Sequence, residues 1–387
     1  MILSAPAVLA GDGLLHPGAV VVEDGLIVDV LPRRPSPSRG HIALDDGLLT
    51  PGLIDLQVNG AFGVDLATAA DADWLHVAHR LCETGVTSFL PTFITAPIDD
   101  LVDLVRLSEA AGHRLSSVTA AQVPGAHVEG PFLSPTWPGV HDPLLMTDPD
   151  RTSVERLLQA AGGMALLTIA PERPGAIDAI QRFVHAGVRV SLGHTDAVAA
   201  DVTAAADAGA TCITHVFNAQ RPLGHREPGV PGQALGDSRF TIGLIADLHH
   251  VAAQICAVVM RAAPGRVALV TDATAAAGMP PGRYQLADVP VHVPAEGEPP
   301  RRGDGRLAGS ALTLDAAIRN LARIGVDISR AVDAASRVPA DVLGRPDLGR
   351  IASGAIADLV WWSADLRPQR TWVRGVEVGL EPEPRPR

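Results

Sequence analysis

The chain has 387 residues, a length that fits one large domain plus a smaller one. Its 31 basic and 43 acidic residues give a net charge of −12, which argues against nucleic acid or an anionic membrane as a partner. No run reaches the roughly 20 apolar residues that a membrane helix requires. Cys82, Cys212 and Cys256 are odd in number and far apart, so we expect reduced thiols and a cytoplasmic protein.

Both ends of the chain have the pattern of short strands. Asp24-Gly25 separates two strand-like segments, which is a hairpin signal, and residues 33–40 form a loop rich in proline and serine. Similar strand patterns return at residues 357–362 and 370–378. We therefore predict one small sheet domain built from both ends, residues 1–50 and 351–387.

Residues 51–350 alternate strand and helix patterns. Apolar runs predict strands near 53–58, 87–92, 125–130, 165–171, 187–193, 211–216, 241–247 and 267–272. Alanine-rich stretches predict helices at 71–84, 98–112, 175–186, 197–209 and 250–263, and long non-helical insertions follow at 131–150, 217–240 and 277–310. This alternation is typical of right-handed βαβ units, and about eight units close into a (β/α)8 barrel. An open doubly wound sheet is the alternative, and it would leave no single mouth.

Four of these runs end in a side chain that can do chemistry: Glu129, His194, His215 and Asp272. In a parallel barrel all four would converge at the mouth, where barrel enzymes carry their active sites. One glutamate and two histidines suit a single catalytic divalent metal, with Asp272 beside it as a general base. Each residue alone has an ordinary alternative, as a turn cap or a structural histidine, so the interpretation depends on the set.

The sequence contains no lysine, so all 31 basic residues are arginine. This excludes a carbamylated lysine between two metals, a Schiff base and a P-loop lysine. Gln57 and Asn59 end the first barrel strand, where many metallohydrolases place histidines for a second metal. Amides bind such metals poorly, so we expect one metal with Glu129 as its carboxylate ligand. His127 lies one pleat deeper on the same strand face, where it is expected to support the ligands or the core, with a role as a ligand as the alternative.

The loops that follow the strands carry further candidates. Arg226 can bind a phosphate bidentately or be a solvated surface residue. His250 can cap the next helix or face an anion at its N-terminus. His141 is a loop histidine that can equally be idle. The chain has no Gly-x-Ser-x-Gly elbow and no Gly-x-Gly-x-x-Gly at a helix start, so neither a serine hydrolase nor a dinucleotide site is expected.

Several motifs together are similar to those of a known family. In chain order they are His-Val-Glu-Gly-Pro-Phe (127–132), Gly-Val-His-Asp-Pro (139–143), Gly-His-Thr-Asp-Ala (193–197), Thr-His-Val-Phe-Asn-Ala (214–219), Arg-Glu-Pro-Gly (226–229), Val-Thr-Asp-Ala (270–273) and Leu-Ala-Gly-Ser (307–310). They span nearly the whole chain and resemble the N-acetylglucosamine-6-phosphate deacetylase family of the amidohydrolase superfamily. The resemblance implies a distorted (β/α)8 barrel with a composite β-sandwich.

The resemblance also implies a role for each matching residue. The metal ligands would be Glu129, His194 and His215; the catalytic residues Asp272 and His141; and the substrate contacts His141, Asn218, Ala219, Arg226, His250 and Leu307. Asp272 would be the acid/base, and His141 would polarise the acetamide carbonyl. Arg226, His250 and the backbone of Asn218 and Ala219 would contact a phosphate, with Arg226 supplied by the partner subunit of a homodimer.

The implied reaction removes the acetyl group from N-acetyl-D-glucosamine 6-phosphate and yields acetate and D-glucosamine 6-phosphate. It would use one divalent metal per subunit, zinc in the first place, with iron, manganese and cobalt as alternatives. The galacto epimer, another amide, or a sugar phosphate bound without turnover are the competing functions. Trp137, His225 and the insertion at 281–306 do not follow the family pattern. Trp137 is expected to pack in its loop or to stack on a sugar.

Overall fold

The computed structural model describes residues 1–11, 13–36 and 39–379. The strands in chain order are β1 (Ile2–Ala5), β2 (Ala7–Ala10), β3 (Gly13–Leu15), β4 (Gly18–Glu23), β5 (Leu26–Leu31), β6 (His41–Ala43), β7 (Leu48–Pro51), β8 (Leu53–Val58), β9 (Gly60–Ala61), β10 (Val64–Asp65), β11 (Val86–Ile94), β12 (Ala126–Glu129), β13 (Met164–Ile169), β14 (Arg189–Leu192), β15 (Cys212–Ile213), β16 (Thr241–Leu244), β17 (Val267–Leu269), β18 (Gly282–Leu286), β19 (Val289–Val293), β20 (Leu359–Trp362), β21 (Pro368–Val373) and β22 (Val376–Glu377).

The helices alternate with the central strands. They are α1 (Asp71–Glu83), α2 (Ile98–Leu115), α3 (Arg151–Leu158), α4 (Ala176–His185), α5 (Ala199–Asp207), α6 (Gly229–Gly236), α7 (Ala253–Ala262), α8 (Leu314–Arg323), α9 (Ile328–Ala335) and α10 (Arg337–Val342), with a short 3₁₀ turn at Ala161–Gly163. All five predicted helices are present. The expectation of a purely non-helical segment at 217–240 was wrong, because α6 lies within it. None of these described helices is long and apolar enough to cross a membrane.

The central sheet is a nearly closed parallel barrel. Its eight strands lie in the order β8, β11, β12, β13, β14, β15, β16 and β17, and every pair is parallel. The two ends of this row meet at the mouth, where Val58 bridges Ala273 and the N–H of Asn59 donates to the Ala273 carbonyl at 2.8 Å. This contact confirms the barrel and rejects the open sheet, because an open sheet would separate its first and last strands.

Apolar periodicity explains how the layers pack. In α4 the buried residues Ala176, Ala179, Ile180 and Phe183 recur at helical spacing, and this face packs against β14. Strand β11 is instead buried at eight of its nine positions, the polar Thr87, Ser88 and Thr92 included, as expected for a parallel strand covered on both faces. The barrel wall is therefore closed to solvent along most of this strand.

The second unit combines both ends of the chain, as predicted. One sheet has the order β5-β4-β1-β6, and the other has the order β22-β21-β20-β7-β2-β3, in which β20 pairs antiparallel with β7. Leu3, Ile27, Leu49 and Trp372 are buried between them. The domain boundaries at residues 50 and 351 stay a prediction, and residues 380–387 of the predicted sheet domain lie outside the described residues.

The insertion at 281–306 contains a hairpin beside the barrel mouth. Strands β18 and β19 pair antiparallel, and Arg301 bridges both His292 and Leu307 to extend them. Leu286 and Ala308 belong to a small apolar cluster that packs against residues at the mouth. The segment after Asp272 therefore forms one wall of the mouth.

Candidate active site

The four strand-end residues lie at equivalent points of the barrel. Glu129 is the last residue of β12, while His194, His215 and Asp272 follow β14, β15 and β17 by two or three residues. The last three have φ angles of +47°, +26° and +50°. The left-handed region is uncommon for residues other than glycine, and such strain concentrates at functional sites. The tight turn at each strand end directs these side chains into the mouth.

Three of these side chains converge on one point. Nε2 of His215 lies 2.9 Å from Oε1 of Glu129, and Nε2 of His194 lies 3.2 Å from the same oxygen. All three side chains are at most 5% exposed. Ligand atoms bound at about 2.1 Å in a tetrahedral zinc site lie roughly 3.4 Å apart, so this spacing fits a shared cation. A buried carboxylate with two imidazoles fits a divalent metal site.

His141 is the fourth group at this point. Its ring centroid lies 4.3 Å from that of His194, and its Nε2 lies 3.9 Å from Oε2 of Glu129. Glu129, His141 and His194 offer ligand atoms within 4.8 Å of one another. Proximity alone therefore allows two ligand sets, one with His141 and one with His215.

Hydrogen bonds to the far side of each ring distinguish His141 from His194. Nδ1 of His194 donates to the carbonyl oxygen of Trp137 at 3.0 Å, which leaves the lone pair on Nε2. Nδ1 of His141 instead accepts the backbone N–H of Thr95 at 3.1 Å and lies 2.8 Å from the Thr95 hydroxyl, which can donate as well, so the proton is placed on Nε2. Nε2 of His141 is buried without a hydrogen-bond partner among the described residues. His194 thus offers an electron pair, and His141 offers a hydrogen-bond donor.

Asp272 lies beside this group and is held by two amides. Nδ2 of Asn59 donates to Oδ1 of Asp272 at 2.8 Å, and Nε2 of Gln57 donates to the same oxygen at 3.1 Å. The Gln57 amide also donates to Oε2 of Glu129 at 3.2 Å. Burial, and then the negative charge of Glu129, raise the pKa of Asp272 to about 6. A carboxyl group with this pKa can exchange protons near neutral pH.

One cavity of about 140 Å³ collects these groups. Its lining includes Asn59, Ile94, Glu129, Gly139, Val140, His141, His194, His215, Asn218, Ala219, Ile245, His250, Asp272, Leu286, Leu307 and Gly309. Every predicted site residue except Arg226 is in this lining. Arg226 is exposed on the loop before α6. Ile94, Ile245 and Leu286 form an apolar wall that sequence reasoning missed, since apolar residues in barrel strands and loops look alike whether they face a ligand or the core.

His250 is oriented by an aspartate on its own turn. Oδ2 of Asp247 lies 2.6 Å from Nδ1 of His250, and Oδ1 accepts the backbone N–H groups of His249 and His250. With Nδ1 held by the carboxylate, Nε2 is the nitrogen available to the cavity. The predicted helix start at residue 250 was wrong, because α7 begins at Ala253. His250 therefore faces the cavity from a turn rather than from a helix N-terminus.

The turn after His215 is fixed by its own backbone. The N–H of Asn218 donates to the His215 carbonyl at 3.0 Å, and the Asn218 side-chain amide donates to the same oxygen at 3.2 Å. Ala219 follows with a φ of +50°. Since the Asn218 N–H is already bonded, the N–H of Ala219 is the backbone donor better placed for a ligand.

The sequence allowed alternative roles for His127 and Trp137, and the structure shows where each side chain lies. His127 is buried below the site, its Nε2 lies 2.8 Å from Oγ1 of Thr168, and burial lowers its pKa to about 4. It is therefore a neutral interior histidine. Trp137 contacts Asp196 and His194 rather than lining the cavity. No sequence signal marked this contact, because the residues lie 57 and 59 positions apart.

The profile of the amidohydrolase family matches residues 48–378. The chain belongs to the amidohydrolase family. Among curated amidohydrolase relatives, it is 35% identical to N-acetylgalactosamine-6-phosphate deacetylase of Escherichia coli O157:H7, over 97% of this chain and 98% of that protein. It is also 35% identical to N-acetylglucosamine-6-phosphate deacetylase of Vibrio furnissii, over 84% of this chain and 82% of the relative.

A solved structure supports the same family relationship. This amidohydrolase superposes with a TM-score of 0.90 on a variant of N-acetyl-D-glucosamine-6-phosphate deacetylase from Mycobacterium smegmatis in complex with N-acetyl-D-glucosamine-6-phosphate. The two chains are 35% identical, and the match covers 98% of this chain and 99% of the other. The resemblance found in the sequence motifs is thereby confirmed, and so is the fold.

Proposed function

We propose that this amidohydrolase removes the acetyl group from N-acetyl-D-glucosamine 6-phosphate and releases acetate and D-glucosamine 6-phosphate. One observation carries the proposal. Glu129, His194 and His215 converge in one cavity. Beside them lie Asp272, a carboxyl group outside the ligand set, and Nε2 of His141, a buried hydrogen-bond donor. A site that only bound its ligand would have no need of a proton carrier.

In this proposal Glu129, His194 and His215 hold one divalent cation. Zinc is favoured because a neutral imidazole and carboxylate donor set suits it, and iron, manganese and cobalt are the alternatives. When bound, the cation would supply Lewis-acid chemistry that polarises the amide carbonyl and acidifies water. His141 is left out of the ligand set because its Nε2 carries a proton, as the Thr95 contact requires.

In the proposed reaction, protein side chains transfer the protons and stabilise the oxyanion. Asp272 accepts a proton from water as the water oxygen bonds to the acetyl carbonyl carbon. Nε2–H of His141 donates to the developing oxyanion. Asp272 then delivers its proton to the amide nitrogen as the C–N bond breaks, which frees acetate and the amino sugar. Gln57 and Asn59 hold the Asp272 carboxylate in place for both transfers.

The phosphate would bind where His250 and Ala219 line the cavity. His250, oriented by Asp247, and the N–H of Ala219 supply two donors there. Arg226 is exposed and lies outside the cavity lining, so we propose that it serves the cavity of the partner subunit in a homodimer. A planar guanidinium forms paired hydrogen bonds with phosphate oxygens. The three buried free cysteines support the further proposal of a reducing, cytoplasmic location.

The test is acetate release from four substrates, with and without a chelator. These are N-acetylglucosamine 6-phosphate, its galacto epimer and the two unphosphorylated sugars. We expect turnover of a phosphorylated sugar, loss of turnover with chelator, and little turnover without phosphate. Equal rates on the phosphorylated and unphosphorylated sugars would contradict the proposed phosphate site. Binding of a sugar phosphate with no acetate release would identify a binding protein instead of an enzyme.

N-acetylgalactosamine-6-phosphate deacetylation is the second candidate function. The relative from Escherichia coli O157:H7 that carries this name matches 97% of the chain, at the same 35% identity as the Vibrio furnissii glucosamine enzyme. Comparing kcat/KM for the two epimers decides between the two substrates, because the epimers differ only at one hydroxyl.

A further inference from the structure

The loop of residues 131–141 holds His194 from several directions. The N–H of Ser134 donates to the His194 carbonyl at 2.8 Å, while Nδ1 of His194 donates to the Trp137 carbonyl at 3.0 Å. Gly139 packs so closely that an added Cβ would lie 2.8 Å from Cε1 of the imidazole. Because the ring N–H is bonded to this loop, the lone pair of Nε2 faces Glu129.

Trp137 is anchored in turn by its side chain. Its indole Nε1 donates to Oδ1 of Asp196 at 2.8 Å, and Asp196 lies two residues after His194. Trp137 thus bonds twice to the same short segment, once through its carbonyl and once through its indole. Its absence from the cavity lining favours this packing role over stacking on a sugar.

Asp196 is fixed by Arg221 and by Glu172. Nη2 of Arg221 donates to Oδ2 of Asp196 at 2.6 Å, and Nε of Arg221 donates to the Asp196 carbonyl at 2.7 Å. The N–H of Asp196 donates to Oε1 of Glu172 at 2.7 Å. The Asp196 and Arg221 side chains are only 33% and 35% exposed, and charge-assisted bonds of this length are among the stronger ones. The indole therefore bonds to a carboxylate that is already held in place.

We propose that Trp137, Asp196 and Arg221 form a tether that positions the imidazole of His194 for the metal. This inference rests on the proposed function, in which His194 is a ligand. Without the indole bond, the Trp137 carbonyl loses an anchor and no longer holds Nδ1–H. In a smaller fraction of the protein molecules, the His194 imidazole then has the tautomer and orientation that metal binding requires. Trp137 is thus a positioning residue, and groups of this kind change metal affinity by about 10–100-fold.

The test compares Trp137→Phe with a matched control, Trp361→Phe. Trp361 also donates one indole hydrogen bond, to the Asp46 carbonyl at 3.0 Å, but it lies in β20 of the sheet domain. We expect the zinc Kd, measured by chelator competition, to rise about tenfold in Trp137→Phe and to change less than about twofold in the control. The visible spectrum of the cobalt-loaded protein should change only in Trp137→Phe. An unchanged Kd and spectrum in Trp137→Phe would overturn the tether.

Arg221→Met tests the tether from its other end. We expect a smaller loss of zinc affinity, and no additional loss when it is combined with Trp137→Phe, because both variants act through Asp196. Additive losses would overturn a single tether. If Trp137→Phe does not fold, Arg221→Met provides the same comparison against Trp361→Phe, and an unchanged Kd there would overturn the proposal.

The variant His194→Asn separates this inference from the function on which it rests. If His194→Asn binds zinc as tightly as the parent protein, the proposed ligand set is wrong. If His194→Asn loses zinc while Trp137→Phe and Arg221→Met retain normal affinity and cobalt spectrum, the ligand set stands and only the tether fails.

Discussion

The backbone N–H of Thr95 donates to Nδ1 of His141 at 3.1 Å, so the neutral imidazole carries its proton on Nε2. A backbone N–H can only donate, and the Thr95 hydroxyl, 2.8 Å from the same nitrogen, can donate as well, so both contacts fit this tautomer. In this form His141 offers the cavity a hydrogen bond rather than an electron pair. Although Glu129, His141 and His194 are compact enough for a metal, the chemistry of the rings favours His215 as the third ligand.

This relationship predicts different results for two histidine variants. In His141→Asn we expect zinc affinity within about threefold of the parent protein and a kcat/KM lowered by about 10²–10³-fold, since an oxyanion donor is lost. In His215→Asn we expect loss of the zinc itself. Metal content after dialysis and acetate release measure the two effects. Zinc loss in His141→Asn with zinc retained in His215→Asn would reverse the assignment.

Asp272→Asn should keep the metal and lose most turnover. The amide preserves the shape of the carboxyl group but cannot carry a proton, and general acid–base groups contribute about 10²–10⁴-fold. We expect kcat to fall by that factor while zinc content per subunit stays unchanged. Measuring kcat beside the bound zinc of the same sample separates the two effects, and near-normal turnover would remove Asp272 from the mechanism.

Gly139→Ala should weaken metal binding by direct contact. The new Cβ would lie 2.8 Å from Cε1 of His194, and the φ of +58° adds backbone strain. Gly187→Ala is the matched control, because Gly187 has a φ of +87° and an added Cβ there would have no heavy atom within 4 Å beyond its chain neighbours. We expect both variants to lose stability from the strain at positive φ, but a higher zinc Kd only in Gly139→Ala. Equal zinc affinity in the two variants would contradict the close packing.

A subunit-mixing experiment tests the proposed placement of Arg226. If Arg226 serves the partner's cavity, Arg226→Ala and Asp272→Asn homodimers should both be nearly inactive on phosphorylated substrate. A heterodimer of the two variants should regain about half the activity, because one of its cavities has both Asp272 and the partner's arginine. Tagged subunits purified in tandem provide this heterodimer. Activity no higher than that of either homodimer would place Arg226 in its own cavity or outside the site.

Asp358 should make stability depend on pH. Burial raises its pKa from the ordinary 3.8 to about 6, although the N–H of Arg374 donates to its Oδ1 at 2.8 Å. The folded state therefore holds this proton more tightly, so the stabilisation is complete below pH 3.8 and is lost as the pH rises through 6. We expect the free energy of unfolding to fall by about 2 kcal/mol between pH 4 and 7 relative to Asp358→Asn. Urea unfolding of the metal-free proteins measures this difference, and parallel curves would contradict it.

The architecture of the chain was largely readable from its sequence. Alternating apolar runs and alanine-rich stretches identified the barrel strands and the first helices, because burial on both faces of a parallel strand and on one face of a helix leaves distinct periodicities. The Asp24-Gly25 hairpin was visible for the same local reason, and it joins β4 to β5. Helix α6 was missed because Gly-Val-Pro-Gly (229–232) at its start suggests a turn.

Residue types at the strand ends identified the members of the site from sequence. Only the tertiary structure assigned a chemical role to each member. Glu129, His194, His215 and Asp272 could be selected from sequence because a barrel places all strand ends at one mouth. Which histidine offers a lone pair depends on the Thr95 N–H that donates to His141 and on the Trp137 carbonyl that accepts from His194, 46 and 57 residues away along the chain. Contacts between such distant segments leave no local pattern, so only the folded chain could assign them.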